Sequence, residues 1–207
     1  MGSHPLRAKA LRRWATSDPV IHALAKRTPA PARGQVDGSP FEALVQSIAH
    51  QQVSLAAGQT IFGRVRALGS TPKALLKAGP AALRAAGLSR PKVAYVLDLA
   101  RKAVAGEVDF ARIASMEDVE VIAQLTAVKG IGVWTAKMFL LFHLGRPDVL
   151  PFEDLGLQVA VAQSYGVTRK RAAKKIIALG ELWSPYSSYA SLVLWNARRV
   201  EMGAKPR

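Results

Sequence analysis

An all-α fold is what the 207-residue sequence predicts, and three observations carry it. Segment after segment opens on a helix-capping residue and closes on glycine. No stretch holds the sustained apolar/polar alternation of a half-buried strand, and no Asn-Gly or Asp-Gly lies between β-branched runs, where a two-residue hairpin would announce itself. Half of the residues are hydrophobic and 21% are charged, so the chain can bury a core and is neither disordered nor of low complexity. The length suits one large domain or two small lobes.

The elements follow in order. After an opening helix, Thr28-Pro29-Ala30-Pro31-Ala32-Arg33-Gly34 reads as a linker. Ser39-Pro40-Phe41-Glu42 is a capping box with Pro at the first helical position, and Phe41, Leu44, Val45 and Ile48 continue at helical spacing. Ser54 caps the next helix, Leu55 to about Ala67, and Gly69 marks its exit. Thr71-Pro72 opens a short helix, Gly79-Pro80 breaks and restarts it, and Gly87 ends it. From Pro91, the series Val93, Val96, Leu97, Ala100 and Val104 forms an amphipathic helix that stops at Gly106. Ser115-Met116-Glu117-Asp118 reads as a further capping box, with Asp in place of Glu, before a helix running to about Leu125. Met1-Gly2-Ser3-His4 is compatible with a cloning remnant.

Charge gives the first functional indication. With 29 Lys and Arg against 14 Asp and Glu, the formal charge is +15 and the sequence pI about 10.7. Clustered cations release counterions from phosphates, so a nucleic acid is the first expected partner, ahead of an anionic membrane surface or a ribosome. The absence of cysteine excludes disulfides, thiolate zinc sites, cysteine-ligated clusters and Cys nucleophiles. With neither an apolar run of spanning length nor an export signal at the start, the protein is expected to be soluble and not exported.

Leu125 to Met138 reads LTAVKGIGVWTAKM. A helix ends near Ala127, the chain turns through Lys129-Gly130-Ile131-Gly132, and a second helix begins at about Val133. Glycines one residue apart at a helix N-terminus let the backbone approach a ligand, and the amides there bind anions such as phosphate. Gly-x-Gly by itself equally fits a plain tight αα-hairpin. Trp134 and Met138, four apart, share one face of the second helix. Arg169, Lys170, Arg171, Lys174 and Lys175 give a basic helical face, either solvated or tracking phosphates.

The whole segment resembles the helix-hairpin-helix motif of the DNA glycosylase superfamily, and FLLFHLGRPDVLPFEDLGLQVAV continues as that superfamily does. The likeness is closest to the AlkA-type 3-methyladenine DNA glycosylase branch, without its N-terminal β-domain. ALVQSIAHQQVS (43–54), LRAAGLSRPKVAYVLDLA (83–100) and WSPYSSYASLVLWNA (183–197) extend it over roughly residues 39 to 197. The resemblance implies a two-lobed helical bundle with a DNA cleft between the lobes. One lobe would be 39–153, with the hairpin at about 125–143, and the other 5–38 plus 154–207.

Site residues follow from the same resemblance. Asp154 is the expected catalytic carboxylate. Its other reading is the N-cap of a helix over 155–165, and spacing from Pro151 alone would favour Glu153. An anion is needed because breaking an N-glycosidic bond builds positive charge on the sugar. Trp134 and Trp195 are expected to line the pocket for the flipped base, where π-rich walls suit cationic alkylpurines. Met138 is either core or pocket wall. Gln52 takes the place of the side chain that fills the gap left by the extruded base, and His50 and Gln51 are its neighbours. Lys129, Gly130, Ile131 and Gly132 are the expected phosphate contacts. Where relatives that cut the strand carry a Schiff-base Lys, this chain has Trp134, so the expected reaction is hydrolysis alone. Ser187 stands where the family commonly has Arg.

The expected substrate is therefore double-stranded DNA bearing alkylated bases of the 3-methyladenine type, handled by a monomer without metal or organic cofactor. The expected compartment is the cytoplasm, at the bacterial nucleoid. A mismatch or oxidised-base glycosylase of the same superfamily is the alternative enzyme, weakened by the missing lyase Lys and cluster cysteines. A non-catalytic DNA-binding hairpin module is the other alternative, but backbone binding alone requires neither Asp154 nor the tryptophans.

Overall fold

The computed structural model describes residues 5–28 and 38–203, and every element among them is helical, as expected. The expected linker, from residue 29 on, and residues 1–4 lie outside the described residues. The chain forms two compact units, Val36–Leu144 and Met1–Gln35 with Gly145–Arg207.

The central unit holds α3 (Pro40–His50), α4 (Leu55–Leu68), α5 (Pro72–Ala85), α6 (Arg90–Ala105), α7 (Asp118–Thr126) and α8 (Val133–Met138), the last running on as a π-turn over Phe139–His143. Ser39 caps α3 in a reciprocal box with Glu42, and Ser54 accepts from the Ala57 amide to open α4. At Gly79, φ is 76°, so α5 is two short pieces that share a core face through Leu75 and Leu83. Leu44, Ile48, Val96, Leu99, Ile113 and Leu125 complete that core.

Two local expectations are corrected here. Val104, in the last turn of α6, is 50% exposed, so the buried stripe of that helix does not run to its end. The cap of α7 lies two residues later than the expected box at Ser115: Glu117 is the N-cap, its amide donating to Glu120 at 2.9 Å. Ser115 instead bonds the Arg112 carbonyl, and the sequence reading passed over the acidic pair three apart.

The other unit contains α1 (Arg7–Ser17), α2 (Pro19–Arg27), α9 (Leu155–Tyr165), α10 (Arg169–Trp183) and α11 (Ser187–Glu201). What the sequence suggested as one opening helix is two, because Asp18 caps α2 with Pro19 at its first position. Asp18 is buried, yet fully engaged. It accepts from the Val20 and Ile21 amides, the Trp183 indole at 2.9 Å and the Tyr165 hydroxyl at 2.7 Å. Burial, and then the Asp18 hydrogen bond, push the Tyr165 phenol well above its ordinary range. Trp14 stacks on Tyr189 with centroids 5.6 Å apart. Residues 145–153, which the sequence reading placed at the end of the central lobe, are bonded to α11: Ser188 donates to the Arg146 carbonyl and accepts from the Val149 amide.

Candidate active site and nucleic-acid interface

In the central unit α7 and α8 form the hairpin, and the two glycines of its turn have different reasons to be there. Gly130 has φ 79°, and a Cβ on it would stand 2.2 Å from the Tyr95 ring. Gly132 has φ −95° and open space around it. Gly130 thus lets the turn close against α6, whereas Gly132 leaves the backbone bare toward the outside. The Lys129 amide donates to Asp98 at 2.9 Å and the Ile131 amide to the Val128 carbonyl at 3.1 Å. Of the four expected contact residues, then, the Gly130 and Gly132 amides have no acceptor among the described residues, while Lys129 can offer only its exposed side chain. Sequence reasoning missed the groups that hold the turn, Tyr95 and Asp98, because they lie about thirty residues away and carry no local signature.

The α3–α4 turn is fastened to the same hairpin. Gln51 donates to the Gly130 carbonyl at 2.9 Å, and the Lys92 ammonium caps the end of α3 through the carbonyls of Ala49 and Gln51. Burial lowers the Lys92 pKa. Between these anchors Gln52 is exposed, with φ 55°. A non-glycine residue in the left-handed region costs about 1–3 kcal/mol, a strain that collects at ligand contacts. Gln52 is the only such residue in the described chain.

In the other unit, Asp154 caps α9, as its second reading had it. Its Oδ1 accepts from the Leu157 amide at 2.6 Å and from the Trp195 indole at 2.9 Å. Two expected site residues, 41 apart in sequence, are therefore in direct contact. Gly156 makes the room: a Cβ there would stand 3.0 Å from Asp154 Oδ1 and 3.5 Å from Trp195 Nε1. That accounts physically for the Asp-Leu-Gly run. Glu153 is half-buried just before the cap. Ser187, at the family's Arg position, is buried, and its amide and hydroxyl both donate to Asp148, whose other oxygen accepts from Ser184. A short neutral donor thus fastens the start of α11, the helix that carries Trp195.

Met138 and Trp134 part company despite sharing a helix. Met138 stands in the wall of a cavity of about 300 Å³ between α3 and the α8–π-turn segment, with Phe139, Phe142 and His143 beyond it. Trp134, one turn earlier, is 44% exposed and lines no part of that cavity. On α10 the basic run is exposed at Arg169, Lys170, Arg171 and Lys174, and Lys175 lies over the Tyr165 ring, 5.7 Å from its centre.

The model of the HhH-GPD superfamily of base excision DNA repair proteins matches residues 45–185. The chain belongs to this superfamily. The matched span takes in Gln52, the hairpin, Trp134 and Asp154, and stops short of Trp195. Among HhH-GPD structures, the DNA-3-methyladenine glycosidase of Bacillus halodurans is similar at TM-score 0.83 and 34% identity, covering 96% of this chain and 92% of that one. The 3-methyladenine DNA glycosylase of Schizosaccharomyces pombe, solved with abasic DNA, is similar at TM-score 0.79 and 26% identity over 91% of this chain and 95% of that one. The Bacillus subtilis protein YfjP, which bears a DNA-3-methyladenine glycosylase name, is 31% identical over 172 residues, 78% of this chain. This HhH-GPD chain spans 60% of that relative's length. No helix among the described residues is long and apolar enough to cross a membrane.

Proposed function

We propose that the protein is a DNA glycosylase that extrudes an alkylated base of the 3-methyladenine type from duplex DNA and hydrolyses its N-glycosidic bond, leaving the strand uncut. The observation that carries this reading is the Asp154–Trp195 pair. Oδ1 of the carboxylate is pinned by two N–H donors at a helix start, inside a superfamily of base excision repair proteins. Such an anion stabilises the positive charge that grows on the sugar as the bond to the base breaks, or takes the proton of the attacking water. Its orientation is set in advance, so no reorganisation is required at the transition state.

The remaining residues take the roles that the family resemblance gives them. The Gly130 and Gly132 amides and the Lys129 side chain hold phosphates and position the duplex without reading its sequence. Gln52, already in the backbone conformation of a protruding tip, fills the gap in the stack. By that resemblance Trp134, Trp195 and Met138 are the residues assigned to the extruded base, and Trp134 has no amine with which to form a Schiff base. DNA is thus the partner, in keeping with the similar S. pombe enzyme solved on abasic DNA. The protein acts as a cytoplasmic monomer without metal or organic cofactor. The test uses duplexes that each bear one defined lesion, scored for alkali-labile abasic sites. Release of 3-methyladenine-type lesions in preference to mismatched or oxidised bases is expected. Release of oxidised bases alone would overturn the substrate, and release of none would leave a binding protein.

A further inference from the structure

Helix α6 carries Lys92, Tyr95 and Asp98, each three residues after the last, in a row beside its buried stripe of Val93, Val96 and Ala100. Residues so spaced are neighbours on a helix surface, and all three reach toward the turns given to DNA above. Lys92 Nζ donates to the carbonyls of Ala49 at 2.9 Å and Gln51 at 2.6 Å, at the end of α3. The Tyr95 ring lies where a Cβ on Gly130 would strike it. Asp98 accepts from the Lys129 amide at 2.9 Å, and its other oxygen faces Arg101 at 3.7 Å. Gln51 closes the circuit, donating from Nε2 to the Gly130 carbonyl at 2.9 Å. The α3–α4 turn, the hairpin turn and α6 are thus tied to one another pairwise.

What this triangle holds is a strained residue. Gln51 is the C-cap of α3, and the position after a C-cap is where glycine ordinarily takes the left-handed conformation. Here that position is Gln52, with φ 55° and its side chain exposed. Ending the helix requires only backbone, so a side chain kept there against strain has a use of its own. We infer that Lys92, Tyr95, Asp98 and Gln51 are positioning residues that make the hairpin and the Gln52 turn one rigid tool. A hairpin seated on phosphates then presents Gln52 to the base stack at a fixed depth, and a turn ordered in advance removes that ordering cost from binding. The inference rests on the glycosylase reading for the role of Gln52, whereas the triangle stands on its contacts.

The experiment measures how much more tightly the full-length protein binds a duplex with a tetrahydrofuran abasic analogue than the same duplex undamaged, since only the first offers Gln52 a ready gap. Gln51→Ala removes one neutral hydrogen bond and should lower this preference about two- to tenfold. Lys92→Met removes two bonds from a charged donor and should lower it about tenfold or more. Affinity for the undamaged duplex should change little in either. Should Lys92→Met fail to fold, Gln51→Ala carries the test, its bond lying at the surface. A residue that acts through Gln52 has nothing to act on once that side chain is gone. In a Gln52→Gly background, which also relieves the strain, both substitutions should therefore shift the preference by no more than about twofold, the usual error of additivity. A full effect in that background would mean that they touch DNA directly or weaken the fold at large, and would overturn the inference. So would a native preference in both variants, or no preference in the native protein. Base release from a lesion duplex is scored alongside. Release by the native protein with the preference unmoved in the variants leaves the glycosylase reading standing without the triangle, and a preference lost through Gln52 in a protein that releases no base does the reverse.

Discussion

Trp195 donates its indole N–H to the same oxygen of Asp154 that caps α9, at 2.9 Å. A hydrogen bond to a charged group is worth about 1.5–3 kcal/mol. If all of it is expressed at the transition state, the effect on rate is roughly ten- to a hundredfold. Trp195→Phe keeps a large aromatic ring and removes only the donor. Single-turnover base release should fall within that range while affinity for an abasic-site duplex is retained. A variant with native rate would show that the indole packs beside the carboxylate without orienting it.

The carboxylate itself is tested by charge removal. Asparagine caps helices about as well as aspartate, so Asp154→Asn should cost about 1 kcal/mol of folding stability or less. Base release should nonetheless drop by orders of magnitude, each 1.36 kcal/mol of lost stabilisation being about tenfold. Glu153→Gln should cost far less. The reverse pattern, measured on a lesion the native protein removes, would move the reaction one residue upstream and leave Asp154 as a cap alone. Full activity in both variants would remove the carboxylate mechanism altogether.

The two hairpin glycines should separate folding from binding. Gly130→Ala forces a Cβ into the left-handed region and into the Tyr95 ring, so thermal stability should fall by about 1–2 kcal/mol or more. Gly132→Val meets nothing within 4 Å and should leave the melting temperature nearly unchanged. It should weaken binding to undamaged duplex, since a side chain then stands where a phosphate approaches. Lys129→Ala should lower the slope of log affinity against log salt by about one. Native affinity in Gly132→Val would take the hairpin out of the interface.

Residues whose signals are local were legible in the sequence. Ser39, Ser54 and Thr71 each cap the helix they precede, because capping is settled by atoms two or three residues apart. Asp154 could be placed by its context, and its cap was foreseen; its bond to Trp195, across 41 residues, had no local pattern. The same holds for the supports of the hairpin. Tyr95 and Asp98 looked like one more turn of an amphipathic helix until the fold set them beneath Gly130 and Lys129. The cavity beside Met138 was hidden for a different reason. Its walls from α8 and the π-turn recur at ordinary helical spacing, so FLLFH reads as core, and only the packing against α3 leaves the space unfilled.

His143 makes stability depend on pH. Burial lowers its pKa below the ordinary value of 6.5, so the unfolded chain takes up the proton first as pH falls. Above about pH 7 both states are neutral and the residue has no pH-linked effect. Below 6.5 the native state loses stability progressively, until its own lower pKa is reached. His143→Gln has no proton to bind in either state. The melting temperature of the native protein relative to that of the variant should therefore fall between pH 7 and pH 5. A difference that stays constant over that range would mean that the ring is solvated in the folded protein.

The last prediction concerns strand cleavage. A lyase step requires an uncharged amine to attack the sugar carbon and form a Schiff base that borohydride can reduce to a stable adduct. At the position where strand-cutting relatives carry that amine, this chain has Trp134, whose indole nitrogen donates its lone pair to the ring and does not attack carbon. Lys129 is tied through its amide to Asp98, with its side chain exposed beside the turn. Incubation with a lesion duplex and borohydride should yield no covalent protein–DNA species, and the product strand should run at full length until treated with alkali. Efficient trapping would show that a lysine is the nucleophile. Trapping lost in Lys129→Ala or in Lys137→Ala would then identify it, and the protein would belong with the strand-cutting members of its superfamily despite Trp134.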